Sequence, residues 1–215
     1  MSSDLLIRYG GPFAPGLVKS ASGSFIEMED GSRVLDFTAG QICATIGHNH
    51  PRVVEAIERS CREVMHLNSW SLSPPVISLA ERLIETLPPP LERAMFLSTG
   101  GEANEAALRM AKLFSGKFEV AALTRSWHGV TAGASAHTHA AGRRGHGPTT
   151  PGAFAIPAPY EYRCPIRHCD GSCDCSCLEA GFELFDQVSV DSQAAVLAEP
   201  VLSAGGVIVP PPGYF

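Results

Sequence analysis

Hydrophobic and polar residues follow two different periods along this chain, and each period predicts a different element. Residues 24–28 and 33–37 alternate on either side of Asp30-Gly31, which predicts a β-hairpin. Apolar residues at helical spacing then predict helices at about 51–65, with a proline in the first turn, and at about 75–86.

Beyond residue 90, short apolar runs alternate with helical patterns. The runs at 94–97, 120–123 and 194–196 are predicted strands, whereas 102–114 and about 177–188 are predicted helices. Strands that alternate with helices are typical of a mainly parallel sheet flanked by helices. The pattern therefore predicts an α/β fold.

The turn between the first of these strands and its helix has the composition of an anion-binding site. It consists of Ser98, Thr99, Gly100 and Gly101, and is called the 98–101 turn. The first N–H groups of a helix lack internal partners and carry the positive end of the helix dipole, and glycine lets a phosphate approach the backbone. A phosphate cradle is one interpretation, and an ordinary capped strand–helix turn is the alternative.

Composition argues against several classes of function. A hydrophobic content of 45% is enough for a core, while a net charge of −6 and an isoelectric point near 5.7 argue against a nucleic-acid partner. No apolar run reaches the roughly 18 residues of a membrane span, and the first residues lack a signal-peptide pattern, so a cytoplasmic location is expected. The basic stretch of Arg143 and Arg144 with His137, His139 and His146 is expected to be a solvated loop.

Five of the seven cysteines lie within residues 164–177, together with His168. Thiolates at this density can bind zinc tetrahedrally. Because the spacing is not a clean pair of Cys-x-x-Cys knuckles, a surface insertion with free or oxidised thiols is the alternative. The candidate metal ligands are Cys164, Cys169, Cys173, Cys175 and Cys177. The isolated Cys43 and Cys61 are expected to be small buried residues.

Five motifs in register carry a resemblance to a known family. They lie at 35–41, 97–113, 126–129, 154–159 and 198–200. Together they resemble the class III aminotransferases, which use pyridoxal 5'-phosphate (PLP) and have the type I fold. Within that family the resemblance is greatest to the 2,2-dialkylglycine decarboxylases, and it extends from about residue 10 to residue 215.

The resemblance implies a cofactor site. The 98–101 turn would hold the phosphate, and Trp127 would stack on the pyridine ring. Asn104 and Glu105 would brace the turn. His128 follows Trp127, and for it a packing role is favoured over proton transfer.

The resemblance also implies roles toward the substrates, an amino acid or amine and a 2-oxo acid. Gln41 would approach the substrate carboxylate. Glu199, which follows a strand at its carboxyl end, would help to control which end of the substrate enters. Leu67 and Ser69 match two ligand positions of a monovalent-cation site in the decarboxylases.

Two departures from the decarboxylase pattern favour general amino transfer. That pattern has paired serines where this chain has Ser203-Ala204, and a methionine where it has Ile42. The expected reaction is therefore the transfer of an amino group to a 2-oxo acid, and decarboxylation-dependent transamination is the alternative.

Relatives of this kind are roughly twice as long as this chain, and their pyridine-nitrogen aspartate and Schiff-base lysine have no counterpart in it. Lys19, Lys112 and Lys117 are expected to be surface charges. We therefore expect an N-terminal half that is inactive by itself. Residues 1–50 would form part of the small domain, with an arm at 1–22 followed by the hairpin. Residues 51–215 would form the first part of the large PLP-binding domain.

A homodimer, or a complementing second half, would then complete the active site. An inactive fragment or pseudoenzyme with a metal-binding cysteine loop is the alternative. An incomplete sheet would also leave an apolar edge exposed, which predicts association.

Overall fold

The computed structural model of the chain describes residues 5–8, 11–140, 147–166, 169 and 172–215. The chain divides into two compact units, Met1–Ala94 and Met95–Phe215. The boundary predicted after residue 50 concerns the domains of the family fold, and it stays a prediction.

The first unit contains a three-stranded antiparallel sheet in the order β1-β2-β3. Its strands are β1 (Val18–Ser22), β2 (Phe25–Met28) and β3 (Arg33–Leu35). The pair β2–β3 confirms the predicted hairpin. β1 lies in the stretch that was predicted to be an arm. The sequence there has no clear alternation, and the strand forms through backbone pairing with β2.

The hairpin turn shows why these residues stop the strand. Asp30 Oδ1 accepts a hydrogen bond of 2.9 Å from Ser32 N and one of 2.6 Å from Ser32 Oγ. Gly31 has a φ of +83°, which favours glycine. The turn chemistry is therefore local, and it could be recognised from the sequence.

Three helices follow in the first unit. They are the short, irregular α1 (Ala39–Ile42), α2 (Pro51–Glu63) and α3 (Pro74–Ile84). The last two confirm the predicted helices, but no residue of the three is buried. Cys43 and Cys61 are exposed, so their predicted burial is wrong. Cys61 lies on α2, whose apolar side is uncovered in this structure.

The second unit is built on a three-stranded parallel sheet in the order β5-β4-β6. Its strands are β4 (Glu119–Leu123), β5 (Ala153–Ile156) and β6 (Gln193–Leu197). Every residue of the central strand β4 is buried. The predicted parallel sheet is confirmed, and β5 is a strand that the pattern analysis did not single out.

Helices cover this sheet. They are α4 (Gly100–Ser115), α5 (Ala132–Ala136) and α6 (Ser176–Val188). α4 begins two residues before its predicted start, and α5 was not predicted. α6 packs closely on β5, because a Cβ at Gly181 would lie 2.7 Å from Pro157 Cδ. The core cluster comprises Ala121, Leu123, Ile156, Ala158, Phe185, Leu202, Ile208 and Tyr214.

The strand predicted at 94–97 is wrong. These residues form no strand, and Met95, Phe96 and Leu97 expose 62%, 42% and 47% of their surface. A strand needs a hydrogen-bonded neighbour, and the described residues provide none for this run. In the part of the chain that the structure describes, no helix is long and apolar enough to cross a membrane.

Candidate functional site

The 98–101 turn forms the N-terminus of α4 and is closed by a capping box. Thr99 Oγ1 accepts a hydrogen bond of 3.1 Å from Glu102 N. In return, Glu102 Oε2 accepts bonds from Ser98 N at 3.0 Å and Thr99 N at 3.2 Å. The capped-turn interpretation is therefore correct for Ser98 and Thr99, whose amides are already paired.

The amides of Gly100 and Gly101 remain available for a ligand. No described residue accepts a hydrogen bond from either of them, as expected for the first positions of a helix. A Cβ built at Gly100 meets no atom within 4 Å, so this residue borders open space. The φ of Gly100 is not positive, so the backbone here does not require glycine. The absence of a side chain instead leaves room for a ligand beside the amides. The geometry suits a phosphate, with which an added side chain would compete.

The loop after β4 packs directly against this turn. A Cβ at Gly129, whose φ is +137°, would lie 2.8 Å from Gly101 Cα. Only glycine fits there, and it brings the Ser126–Gly129 motif next to the N-terminus of α4. The sequence analysis included Gly129 in the motif at 126–129 but predicted no role for it. Its position directly after Trp127 and His128 could have indicated a close backbone contact.

Glu199 and Trp127 are held together by a direct hydrogen bond. Trp127 N donates to Glu199 Oε1 over 2.7 Å, and both residues are half-buried. They follow β4 and β6, which are neighbouring parallel strands, so their carboxyl ends meet at one edge of the sheet. The bond fixes the Glu199 carboxylate beside the backbone of the residue predicted to stack on a ring.

His128 is a buried, neutral imidazole. It exposes 4% of its surface, and burial, followed by the charges of His137 and His139, lowers its pKa to about 4. Its backbone N donates a hydrogen bond of 2.9 Å to Thr138 Oγ1, and its carbonyl oxygen accepts one of 2.6 Å from Asn104 Nδ2. These contacts hold His128 by its backbone, which supports the packing role.

Asn104 and Glu105, which were predicted to brace the turn, bind the loop that follows β4. Asn104 binds the His128 carbonyl, and Glu105 Oε1 accepts bonds from Gly133 N at 2.7 Å and Ala134 N at 3.0 Å. Glu105 therefore caps α5. Both side chains reach from the first turns of α4 to the loop after β4, which lies against Gly101. Their predicted role in bracing the turn stays a prediction.

The predicted basic loop is in part a buried element. Arg143, Arg144 and His146 lie outside the described residues. His137 exposes only 3% of its surface, and burial lowers its pKa. Its Nδ1 lies 2.8 Å from the Gly133 carbonyl, which makes Nδ1 the protonated nitrogen. The solvated-loop prediction is wrong for His137 because this residue ends α5 and folds back on it.

Three predicted residues lie in the first unit. Gln41 is exposed on α1 with a left-handed φ of +62°, next to Gly40 at +59°. Leu67 and Ser69 are exposed in the segment between α2 and α3, and Ser69 Oγ lies 3.5 Å from Asn68 Oδ1. Gln41, Leu67 and Ser69 are therefore described within the first unit only.

Asp36 holds the start of α1 in the first unit. It accepts bonds from Thr38 N at 2.8 Å and Thr38 Oγ1 at 2.7 Å, and lies 2.7 Å from His48 Nε2. These bonds, with Thr38 first, hold the pKa of Asp36 well below its usual range. Sequence reasoning quoted Asp36 in a motif without a role. Its hydrogen bonds fix the backbone of the residues just before Gln41.

The candidate metal ligands are partly or fully buried free thiols. Cys177 is 1% exposed, and burial, followed by the nearby thiols of Cys164 and Cys173, raises its pKa to about 11. Burial and Cys173 also raise the pKa of Cys175. Cys169 is buried as well, whereas His168 lies outside the described residues. The described cysteines form no disulfide, and no three described His, Cys, Asp or Glu side chains stand ready around one point to hold a metal ion.

Comparisons with known proteins agree with one another. The family model described as aminotransferase class-III matches residues 10–215. An uncharacterized aminotransferase of Schizosaccharomyces pombe is 47% identical over 210 residues, which are 97% of this chain and 47% of that protein. A probable 4-aminobutyrate aminotransferase of Bacillus subtilis is 34% identical over 84% of this chain and 43% of its own length.

A solved structure gives the same result for the fold. An amine transaminase from an uncultivated Pseudomonas species, in its PLP-bound internal aldimine form, superposes with a TM-score of 0.85 at 29% identity. The match covers 97% of this chain and 51% of that one. The chain therefore spans about half the length of the relatives it matches.

Proposed function

The chain belongs to the class III aminotransferases and has their α/β, type I fold, and from this we propose that it forms part of a PLP-dependent enzyme that transfers an amino group between an amino acid or amine and a 2-oxo acid. The observation that carries the proposal is the pair of open amides at Gly100 and Gly101, against which the Trp127 loop is packed.

The 98–101 turn would bind the phosphate group. Two helix amides and the positive end of the α4 dipole favour a dianion there. Thr99 Oγ1 accepts from Glu102 N, so its own hydroxyl hydrogen is left to donate to a phosphate oxygen. The capping box therefore orients the turn without using up all its donors.

Trp127 and Glu199 would hold the ring end of the cofactor and the incoming substrate. Trp127 supplies an aromatic face, and Glu199 keeps its backbone in place through the bond of 2.7 Å. The second carboxylate oxygen of Glu199 is left to meet a positively charged group of a substrate. His128 stays neutral behind this layer, because burial lowers its pKa to about 4.

When bound, PLP supplies an electron sink for the carbanion at the substrate Cα. The two lysines of the second unit lie far from the 98–101 turn. Lys112 is twelve positions after Gly100 on α4, about 18 Å along the helix axis, and Lys117 follows the end of α4. We therefore propose that the lysine of the reaction comes from elsewhere: the rest of a longer protein of which this is the N-terminal half, or a partner subunit in a dimer.

Several finer assignments belong to this proposal. Gln41 would approach the substrate carboxylate, and Leu67 and Ser69 would contribute oxygen ligands to a monovalent cation. The small-domain part would be residues 1–50 and the large-domain part 51–215. The motifs resemble those of the 2,2-dialkylglycine decarboxylases, but Ile42 and Ala204 depart from that pattern. These two departures favour amino transfer without decarboxylation. A cytoplasmic location stays part of the proposal.

Calorimetric titration of the chain with PLP and with inorganic phosphate tests the proposal. We expect weak, measurable binding of both. Gly100→Val should abolish both, because its side chain enters the space next to the open amides. Trp127→Ala should weaken PLP several-fold and leave phosphate nearly unchanged, since an aromatic face contributes about 0.5–1.5 kcal/mol beyond burial.

Ala107→Val is the matched control, because it places the same side chain at an exposed position of the same helix. It should bind both ligands like the unaltered chain. Equal loss of PLP and phosphate in Trp127→Ala would place the ring elsewhere. Unchanged binding in Gly100→Val would overturn the proposed cradle.

A further inference from the structure

Four consecutive residues of the first unit, the α1 segment Ala39–Ile42, turn in the left-handed sense. Their φ angles are +47°, +59°, +62° and +70°, and the ψ angles of Gly40 and Gln41 are both 45°. This conformation brings Cβ against the following carbonyl oxygen, so it is rare in residues other than glycine. It is rarer still in a β-branched residue such as Ile42. The segment is called the left-handed turn.

Contacts from outside are needed to hold the left-handed turn. Three of its four residues carry a side chain, and at each the conformation costs a factor of roughly 5 to 30 in the equilibrium with an ordinary backbone. Ile42 N donates to Thr38 O over 2.9 Å, and Ala44 N donates to Ala39 O over 2.8 Å. Each of these bonds contributes about tenfold or less. The two bonds therefore do not offset the three strained residues.

The carboxylate of Asp36 holds the beginning of the left-handed turn. Its Oδ1 accepts hydrogen bonds from Thr38 N at 2.8 Å, Thr38 Oγ1 at 2.7 Å and Ala39 N at 3.1 Å. Thr38 is right-handed, with a φ of −96° and a ψ of −14°, and Ala39 is left-handed. Amides in this sequence of conformations form a concave nest for an anion. Here the anion belongs to the chain itself, and its side chain exposes 5% of its surface.

His48 ties the same carboxylate to the segment that follows the left-handed turn. Its Nε2 lies 2.7 Å from Asp36 Oδ2. The backbone of His48 is bound to the turn between β1 and β2: His48 N donates to Gly23 O over 2.8 Å, and Gly23 N donates to His48 O over 3.1 Å. The next residue, Asn49, donates through Nδ2 to Ala21 O over 2.8 Å. Asp36 and His48 therefore link the left-handed turn to the antiparallel sheet.

We propose that Asp36 and His48 are positioning residues, which hold the left-handed turn so that Gln41 is presented to the substrate. Strained backbone persists where the surrounding structure maintains it, and it is concentrated at functional sites. A side chain whose backbone is already fixed loses less freedom when a ligand binds, which favours binding. The inference rests on the role toward the substrate carboxylate that is proposed for Gln41.

Hydrogen–deuterium exchange of the full chain, read by mass spectrometry of peptides that cover 36–47, tests this hold. Asp36→Ala should speed exchange there roughly ten- to hundredfold, because bonds to a charged acceptor are lost. Asp30→Ala is the matched control: it removes a carboxylate that accepts similar bonds from Ser32 in the hairpin turn. It should leave exchange at 36–47 unchanged. His48→Ala should act like Asp36→Ala, and His48→Gln, which keeps a donor, should restore slow exchange.

A second pair of variants tests the strain itself and leaves Asp36 in place. Ile42→Gly should slow exchange at 36–47 about fivefold, because glycine adopts a positive φ without the steric cost. Ile46→Gly is its control, since Ile46 exposes 64% of its surface against 66% for Ile42, but its φ is not positive. This control should speed exchange or leave it unchanged. The pair also decides the test if Asp36→Ala does not fold.

Gln41 is observed directly by NMR of the chain labelled with nitrogen-15 glutamine. A positive φ brings an amide proton close to its own α proton, so Gln41 should show a strong NOE between the two. Asp36→Ala should remove this NOE and leave the spectra of Gln187 on α6 and Gln193 on β6 unchanged.

Three outcomes would overturn the inference. They are unchanged exchange in Asp36→Ala, an equal response to Ile42→Gly and Ile46→Gly, and an unaltered Gln41 NOE in Asp36→Ala. None of these measurements uses PLP or a substrate. A failure of the proposed cofactor site, seen in its own titrations, is therefore distinguishable from a failure of this inference.

Discussion

The Glu199 carboxylate is bound to the backbone of Trp127 across two neighbouring strands. Trp127 N donates over 2.7 Å to Glu199 Oε1, although the residues are 72 positions apart. An acid that was predicted from a motif to sort substrates therefore also positions the aromatic residue of the candidate site. Changes at Glu199 should be felt at Trp127 even before any ligand binds.

The first prediction follows from that bond. Glu199→Ala should lower the free energy of unfolding by about 1 kcal/mol, because it removes the hydrogen-bond acceptor of a half-buried amide. Glu199→Gln should lose less, since its carbonyl oxygen still accepts. Chemical denaturation measures both. Trp127 fluorescence should shift in Glu199→Ala when the exposed Trp70 is replaced by Phe, which leaves Trp127 as the only tryptophan. An unshifted spectrum would show that Glu199 does not position Trp127.

The second prediction concerns covalent attachment of PLP. Lys112 and Lys117 lie at the far end of α4, away from the 98–101 turn. We therefore expect no lysine of the isolated chain to become stoichiometrically labelled when PLP is added and borohydride follows. Peptide mapping by mass spectrometry measures the label on each lysine. A single fully labelled lysine, together with its absorbance band, would contradict the proposal that the lysine comes from elsewhere.

The third prediction concerns pH. The pKa of His128 is lowered to about 4 by burial, from an ordinary value near 6.5. Between these values the unfolded chain binds the proton and the folded chain does not, so stability falls as pH decreases from about 6.5 to 4. His128→Asn should flatten this part of the stability profile. A slope remains because burial also lowers the pKa of His137.

The control for this prediction is His66→Asn, at an exposed position of the first unit. It should leave the slope unchanged, as measured by denaturation at a series of pH values. The same slope in His128→Asn and in the unaltered chain would mean that His128 is not the buried neutral group described above.

The sequence predicted best what depends on neighbouring residues. α4, with its Thr99 cap and its Gly116 ending, and the Asp30-Gly31 hairpin are encoded within a few positions. Strands are different, because they exist only through partners. The apolar run at 94–97 has no paired neighbour and is not a strand, whereas β1 has little pattern and is one.

The candidate site divides in the same way. Its residue types could be predicted from motifs, and the amides at Gly100 and Gly101 follow from the helix start. The contact between Trp127 and Glu199 depends on β6 lying beside β4, an order that local pattern does not contain. The approach of Gly129 to Gly101 is also a long-range outcome.

The last prediction concerns association. α2 is amphipathic, yet Val53, Ile57 and Met65 expose 45%, 58% and 81% of their surface along its apolar side and just beyond its end. Exposed apolar surface of this kind favours contact with another chain. We expect the isolated chain to self-associate, as measured by light scattering after size exclusion. Ile57→Glu should reduce the associated fraction, because it places a charge in the apolar stripe. Arg59→Glu changes an exposed polar position of the same helix and should not reduce it. A monodisperse monomer with one sharp, reversible thermal transition would contradict the prediction, because the apolar side of α2 would then be stable in water without a partner.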